Sequence, residues 1–171
     1  MQNASSLNKI DKVIMALCGL GMLFMGYLTY LHFKTTEGSL CNFGAGLSCE
    51  IVNKSIYSEV LGVPLSLLGL TYFIAVFTLA YKKLLPHVYR IIQGFTLFSL
   101  VFSVNLSLIE VRDLGTVCPF CEAAKVLMLG ILILAWKADQ KAERRMPGPW
   151  MAVAVIIGLV FVGVTRSLQT M

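Results

Sequence analysis

The sequence has few charged residues. Only 13% of its 171 residues are Asp, Glu, Lys or Arg, whereas soluble domains usually carry about 25%. Hydrophobic residues make up 57% of the chain, and the mean hydropathy is +0.79. So little charge cannot cover an ordinary water-facing surface. This argues against a soluble globular enzyme, a disordered protein and a disulfide-rich secreted mini-domain.

Long stretches without charge make up most of the chain. A helix needs about 20 apolar residues to cross a bilayer. Five stretches reach about that length: 13–33, 60–81, 91–109, 117–136 and 146–165. Only the fourth contains charged residues, Glu122 and Lys125. They predict an all-α integral membrane protein with five transmembrane helices. A cleaved signal peptide is the alternative for the first stretch, but its apolar run exceeds the 7–15 residues of a signal sequence.

Basic residues are distributed unevenly between the two sides of the membrane. Nine of the 14 Lys and Arg residues fall in segments 1–12, 82–90 and 137–145, which the positive-inside rule places in the cytoplasm. The loop 34–59 and the turn 110–117 then face outward. The net charge of +5 is spread too thinly to favour nucleic-acid binding, and it suits membrane orientation instead.

The chain has five cysteines, and four of them lie on the outward side of this topology. Cys18 falls in the middle of the first span, where we expect a small packing residue. Cys41, Cys49, Cys118 and Cys121 form an even set in what would be an oxidising compartment, which suggests two pairs. A zinc site and two inert structural disulfides are the alternatives, although the spacing from Cys41 to Cys49 suits zinc poorly. We therefore expect no metal.

The last two of these cysteines form a C-x-x-C motif at the predicted start of a helix. Pro119 suits a first helical turn, and a helix N-terminus stabilises a thiolate. Cys118, Cys121 and Lys125 share one helix face, so the Lys125 ammonium group can favour the Cys121 thiolate. These features are typical of a disulfide that opens and reforms during exchange.

A wider pattern resembles a known family. It combines Cys41-x7-Cys49-x5-Ser55, a Gly62-Val63-Pro64 turn and the late C-x-x-C motif. Together these resemble the bacterial branch of the vitamin K epoxide reductase family, over roughly residues 10–137. The resemblance implies a four-helix bundle around a quinone, covered by an outer lid loop with a half-helix, which we expect at 53–60.

The resemblance also implies the layout of the chain. Residues 1–12 would be a cytoplasmic tail, residues 13–137 the redox bundle with its outer loop at 34–59, and residues 138–171 a cytoplasmic loop followed by the fifth transmembrane helix. Many bacterial members carry a fused thioredoxin-like domain. Because the sequence ends at Met171, we expect the thiol partner to be a separate protein.

The site residues are carried over from the same resemblance. Cys121 would lie nearest the quinone, Cys118 would exchange with Cys49, and Cys41 would meet the partner's thiols. Ser55 matches a hydroxyl residue of the family. A structural role as the N-cap of the half-helix is an equally good interpretation of Ser55.

Four further residues are expected to line the quinone pocket, with lipid or core packing as the alternative for each: Phe43, Leu65, Leu68 and Phe120. Lys125 stands where the animal enzymes have a Tyr that contacts the quinone, and Leu65 falls near their quinone-contacting Asn. Both differences favour a respiratory quinone, ubiquinone or menaquinone, over vitamin K epoxide.

The function implied is that of a thiol–quinone oxidoreductase in a bacterial inner membrane. It would reoxidise a periplasmic thioredoxin-like protein and pass two electrons to the membrane quinone pool, which supports disulfide formation in exported proteins. The alternative is a non-enzymatic membrane protein whose outer-loop disulfides are structural.

Overall fold

In the computed structural model, four long helices form a bundle, with a short helix and a hairpin between the first two. The structure describes residues 8–34, 41, 46–60, 62–82, 87–141, 153 and 155–160. The helices are α1 Lys9–Phe33, α2 Cys49–Asn53, α3 Leu65–Lys82, α4 Val88–Ile109 and α5 Pro119–Lys141. A 3-10 turn at Ile56–Ser58, strands β1 Glu59–Val60 and β2 Val63–Pro64, and a π-helical turn at Glu110–Leu114 complete the described elements.

Four of these helical segments, among the described residues, are long and apolar enough to cross a membrane: Lys9–Phe33, Leu65–Lys82, Val88–Leu114 and Pro119–Gln140. This confirms the predicted all-α membrane fold. Large apolar side chains on their outer faces are exposed, for example Leu23 at 70% and Val126 at 68%, as expected where lipid covers the surface. The fifth predicted span falls mostly outside the described residues, of which 153 and 155–160 are helical.

Helix α1 packs against both α3 and α5, and α4 packs against α5. The buried residues of α1 recur every three or four positions, as Ile14, Cys18, Gly21, Met25 and Leu28 illustrate. This spacing places one continuous apolar stripe of the helix toward its neighbours. Cys18 is fully buried within that stripe, in the position of a packing residue.

The N-terminus of α1 is fixed by a buried carboxylate. The backbone N–H of Asn8 donates to Asp11 Oδ2 at 2.9 Å, and the Tyr89 hydroxyl donates to Asp11 Oδ1 at 2.6 Å. Both bonds compensate the burial of Asp11, which is otherwise unfavourable for a charged group. The helix therefore begins at Lys9, before the predicted start at residue 13, and its first turn is tied to α4.

The short outer helix differs from the expectation. It was predicted at 53–60, but α2 occupies Cys49–Asn53 and is followed by the 3-10 turn and the β1–β2 hairpin. Ser48 explains the earlier start, because its Oγ accepts the N–H of Ile51 at 3.3 Å and so caps the helix. Gly62, at φ 77°, allows the tight turn between the two strands.

A glycine permits the close approach of α1 and α3. A Cβ added at Gly21 would overlap the ring of Phe73, which is fully buried.

We expect Gly21→Ala to destabilise the bundle by about 1–3 kcal/mol, the usual range for overpacking. The measurement is thermal unfolding of the purified protein in detergent. Gly26→Ala on the same helix is the matched control, since its added Cβ meets no atom of the other described elements within 4 Å. Equal melting temperatures for the two variants would contradict this role of Gly21.

Candidate active site

A short parallel bridge joins the outer loop to the segment before α5. The N–H of Val117 donates to the carbonyl of Gly46 at 2.9 Å, and the N–H of Ser48 donates to the carbonyl of Val117 at 3.2 Å. The next residue on each strand of this bridge is a cysteine, Cys49 after Ser48 and Cys118 after Val117. The backbone pairing therefore sets the two cysteines side by side although they are 69 positions apart in sequence.

The sulfur atoms of Cys41, Cys49 and Cys118 lie next to one another in space. Cys41 and Cys49 form a disulfide, with their Cα atoms 5.7 Å apart. The Sγ of Cys118 lies 3.3 Å from the Sγ of Cys49. All three residues are fully buried, while Cys118 and Cys121 are free thiols. This is contact distance for thiol–disulfide exchange, in which a thiolate attacks one sulfur of a disulfide.

Cys118 also caps the N-terminus of α5. Its sulfur accepts the backbone N–H of Cys121 at 3.3 Å, and its carbonyl accepts the N–H of Glu122 at 3.1 Å. This is the position that Ser, Thr or Asp usually occupies at a helix start. A thiolate here faces the unpaired N–H groups and the positive end of the helix dipole. The Cys118 side chain therefore takes the place of the usual oxygen cap at this helix start.

The side chain of Glu110 holds the backbone of Cys118. Its Oε2 accepts the backbone N–H of Cys118 at 3.1 Å, and its own carbonyl accepts the N–H of Thr116 at 3.3 Å. The chain between them turns back through the π-helical turn and Gly115, whose φ of 59° suits glycine. A buried carboxylate, 5% exposed, thereby fixes where the C-x-x-C motif begins.

A cavity of about 340 Å³ lies beside Cys121. On α5 its wall is one helix face, formed by Cys121, Ala124, Lys125 and Met128. The rest of the wall comes from α1, from α2 and the turn after it, from α3, and from α4 together with the π-helical turn. Its residues are Met25, Leu28, Val52, Asn53, Ser55, Tyr57, Ser58, Leu65, Ser66, Leu68, Gly69, Thr71, Tyr72, Phe95, Phe98, Ser99, Phe102, Ser103, Leu106, Glu110 and Leu114. The wall is mostly apolar and rich in aromatic rings, which suits a flat apolar ligand.

One end of this cavity carries a charged cluster. The Lys125 ammonium group bonds to the Glu122 carboxylate and to the Ser107 hydroxyl, and Ser107 in turn donates to Glu122 at 2.7 Å. Lys125 is 9% exposed, so a partner of this kind is needed for its charge. Lys125 was predicted beside Cys121, and Glu122 and Ser107 supply the contacts that hold it there.

Two hydrogen bonds fasten the short helix α2 to α1. Asn53 donates through Nδ2 to the carbonyl of Leu28 at 2.6 Å. His32 Nδ1 lies 2.8 Å from the carbonyl oxygen of Asn53, a contact it can make only as an N–H donor. His32 Nε2 also lies 3.2 Å from Glu59 of β1. These contacts hold α2 and β1 against α1.

The structure brings most of the predicted site residues together. Cys41, Cys49 and Cys118 meet at the start of α2, and Cys121 lies on the cavity wall. The other predicted residues that line the cavity are Ser55, Leu65, Leu68 and Lys125.

The Ser55 hydroxyl makes no N-cap bond and instead donates to the carbonyl of Val52 at 2.7 Å, at the end of α2. Phe43 lies outside the described residues.

Phe120 does not lie where it was predicted. It was expected in the quinone pocket, but its ring stacks on Phe24 at a centroid distance of 5.1 Å and meets Tyr27 edge-on at 5.7 Å. It is not among the described residues that line the cavity. Successive residues of a helix point about 100° apart, so the residue before Cys121 faces α1 while Cys121 faces the cavity.

Glu110 and Ser107 were missed by the sequence interpretation. Glu110 carries a usable signal, since it is an acidic residue directly after an apolar span and only eight positions before Cys118. Intramembrane or span-end carboxylates are functional candidates by default. Ser107 carries no such signal, because a single hydroxyl in a long apolar helix is common.

Comparison with known protein families agrees with this geometry. A sequence model of the vitamin K epoxide reductase family matches residues 12–136. The match runs from the first turn of α1 to near the end of α5, and it includes all four cysteines of the site.

Proposed function

Because this chain belongs to the vitamin K epoxide reductase family, we propose that it oxidises the thiols of a thioredoxin-like partner and delivers two electrons to a quinone. Family membership implies membrane thiol–quinone oxidoreductase activity in general terms. The observation that carries the proposal is the 3.3 Å contact between the sulfurs of Cys118 and Cys49, with Cys121 on the wall of an apolar cavity.

The cavity fits a quinone ring. Its volume of about 340 Å³ lies within the range of small-molecule sites, about 300–1,000 Å³. Phe95, Phe98 and Phe102 lie on one face of α4 and present aromatic rings to it, and rings of this kind pack well against a flat π system. When bound, a quinone supplies the two-electron acceptor, taking up two electrons and two protons to become a quinol.

Access from the lipid phase is consistent with this ligand. Leu68 of α3 and Phe95 of α4 both line the cavity, and their exposed fractions are 43% and 40%. The cavity would then open to the outer surface of the bundle between these two helices. A lipid-soluble quinone would enter there without passing through water.

The first exchange would take place at the lid. A thiolate of the partner attacks Sγ of Cys41, the Cys41–Cys49 bond breaks, and Cys49 leaves as a thiolate. The second partner thiolate then attacks the partner's own sulfur in this mixed disulfide. The partner leaves oxidised, and Cys41 is released as a thiolate.

The second exchange would carry the electron pair to the cavity. The Cys49 thiolate attacks Sγ of Cys118 in a Cys118–Cys121 disulfide, and Cys121 leaves as a thiolate on the cavity wall. Cys41 then displaces Cys118 from Cys49, which restores the Cys41–Cys49 disulfide and leaves Cys118 and Cys121 reduced. The structure has this arrangement of one disulfide and two free thiols.

The remaining site residues would support this chemistry. Lys125 stands one turn from Cys121 on the cavity wall, with its ammonium group held by Glu122 and Ser107. Leu65 and Leu68 give apolar contact area to the ring. Ser55 acts by closing the end of α2, because its hydroxyl is already donated to Val52.

The orientation proposed from the basic residues places the cysteines outside the cytoplasm. In a bacterial inner membrane the N-terminus would be cytoplasmic, and the lid would face the periplasm, where disulfides persist. The proposed thiol partner is a separate periplasmic protein.

The test is a coupled assay with the purified protein in lipid nanodiscs. Reduced dithiothreitol or a reduced thioredoxin-like protein is the donor, and short-chain ubiquinone and menaquinone analogues are the acceptors. We expect one quinone reduced for each dithiol oxidised, with thiol trapping showing the four cysteines changing redox state during turnover. Cysteines that stay in one oxidised state, with no quinone reduction, would favour the structural-disulfide alternative.

A further inference from the structure

A buried hydroxyl group of the cavity wall, that of Ser66, has no hydrogen-bond partner. Ser66, the second residue of α3, is 5% exposed, and its Oγ makes no hydrogen bond. Buried hydroxyls almost always have a partner, because leaving water without replacing its hydrogen bonds is unfavourable. Ser66 also belongs to the cavity wall, so a ligand in the cavity can supply the missing acceptor.

Three other hydroxyls of the same wall, those of Ser58, Thr71 and Tyr72, are already satisfied within the protein. Ser58 Oγ donates to the carbonyl of Ser55 at 2.7 Å, and Thr71 Oγ1 donates to the carbonyl of Leu68 at 2.8 Å. The Tyr72 hydroxyl pairs with Thr96 at 2.9 Å. Among the buried side-chain polar atoms in the described part of the chain, only Ser66 Oγ and Thr116 Oγ1 are unpaired, and Thr116 is not part of the cavity wall.

We propose that Ser66 donates a hydrogen bond to one carbonyl oxygen of the quinone. The inference rests on the proposed function and adds a specificity determinant to it. A quinone carbonyl only accepts hydrogen bonds, and a serine hydroxyl supplies the O–H that it needs. Leu65, the neighbouring wall residue on α3, has no donor in its side chain. Ser66 therefore selects ligands with an acceptor oxygen over hydrocarbons of the same shape, and it orients the ring in the cavity that Cys121 faces.

The test compares two ligands of nearly equal shape. Menadione (2-methyl-1,4-naphthoquinone) has two carbonyls, whereas 2-methylnaphthalene has none. Dissociation constants are measured by equilibrium dialysis with the full-length protein in nanodiscs, for wild type and Ser66→Ala. We expect Ser66→Ala to weaken menadione binding about five- to tenfold, the loss typical of one hydrogen bond. Binding of 2-methylnaphthalene should stay within about twofold.

Thr116→Val is the matched control. It removes the other buried unpaired hydroxyl of the described residues, but at a site outside the cavity, so both dissociation constants should stay at wild-type values. Ser66→Thr keeps the donor and should bind menadione more tightly than Ser66→Ala. As a second readout, the infrared carbonyl band of bound ¹³C-labelled menadione should shift to higher wavenumber in Ser66→Ala, because a carbonyl loses its donor.

The outcomes separate this inference from the function it rests on. Equal weakening of both ligands in Ser66→Ala, with no shift of the carbonyl band, would mean that Ser66 acts through packing and would overturn the inference. Unchanged menadione binding would overturn it as well. In both cases the proposed function would stand if wild type prefers menadione to 2-methylnaphthalene. Wild type with no such preference would count against the quinone site itself.

Discussion

Replacing Cys118 by serine is expected to abolish quinone-coupled thiol oxidation while leaving the fold intact. The sulfur of Cys118 touches Cys49 and lies at the N-terminus of α5, so no other thiol can take its place in the relay. A serine hydroxyl forms no disulfide, but it accepts the Cys121 N–H as a helix cap does. The rate should fall at least about a thousandfold, as expected when a covalent nucleophile is removed, and the melting temperature should stay near that of wild type.

Two variants make this result specific. Cys118→Ala removes the cap as well as the sulfur, so it should lose activity to the same extent and also about 1 kcal/mol of stability. Cys18→Ala removes a buried cysteine of α1 that is neither part of the relay nor among the described residues of the cavity wall, and it should keep the activity. The measurements are quinone reduction with a dithiol donor and thermal unfolding in the same detergent. Substantial turnover by Cys118→Ser would show that electrons reach the quinone by another route.

The sequence was sufficient to predict the membrane fold, because that information is local. Each span is a long apolar run that satisfies its own backbone hydrogen bonds, so composition alone identifies it. The start of α1 was predicted less well. Asp11 looks like the end of a polar tail, yet it is buried and bonded to Tyr89, 78 positions away. A contact of that range has no signature in a window of sequence.

The position of the outer helix shows the same limit. Turn-forming residues are spread through the loop, and the pattern alone favoured a helix at 53–60. In the structure Ser48 caps α2 while its backbone N–H pairs with Val117. The helix therefore starts at Cys49, where the loop is anchored to the segment that precedes α5. That anchoring depends on a strand-like bridge between distant segments.

The cavity was predicted in part. Leu65 and Leu68 line it, whereas Phe120 packs on Phe24 although it stands between the two cysteines of the motif. Proximity in sequence is a poor guide here, because neighbouring residues of a helix point in different directions. Ser66 could not be singled out from sequence for another reason. Its importance lies in the absence of a partner, which only the packed structure reveals.

The order of the relay predicts which pair of cysteines can join across the lid. In a variant carrying Cys41→Ser and Cys121→Ser, only Cys49 and Cys118 remain of the four site cysteines. Their sulfurs are already in contact at 3.3 Å, so they should form a disulfide nearly completely under mild oxidation. Cys41 is replaced because its thiol would otherwise displace Cys118 from Cys49.

The matched control carries Cys41→Ser and Cys118→Ser, which leaves Cys49 and Cys121. The side chain of Cys121 belongs to the cavity wall, one helical turn beyond the residue that touches Cys49. A disulfide needs sulfurs that approach to about 2 Å in a restricted geometry, so we expect at least about tenfold less cross-link. Both variants should be inactive with quinone, because neither retains the C-x-x-C pair. Cross-links are counted by mass spectrometry of peptides from unreduced protein. Equal cross-linking in the two variants would mean that Cys121, as readily as Cys118, receives the electron pair from the lid, and the relay proposed above would have to be reordered.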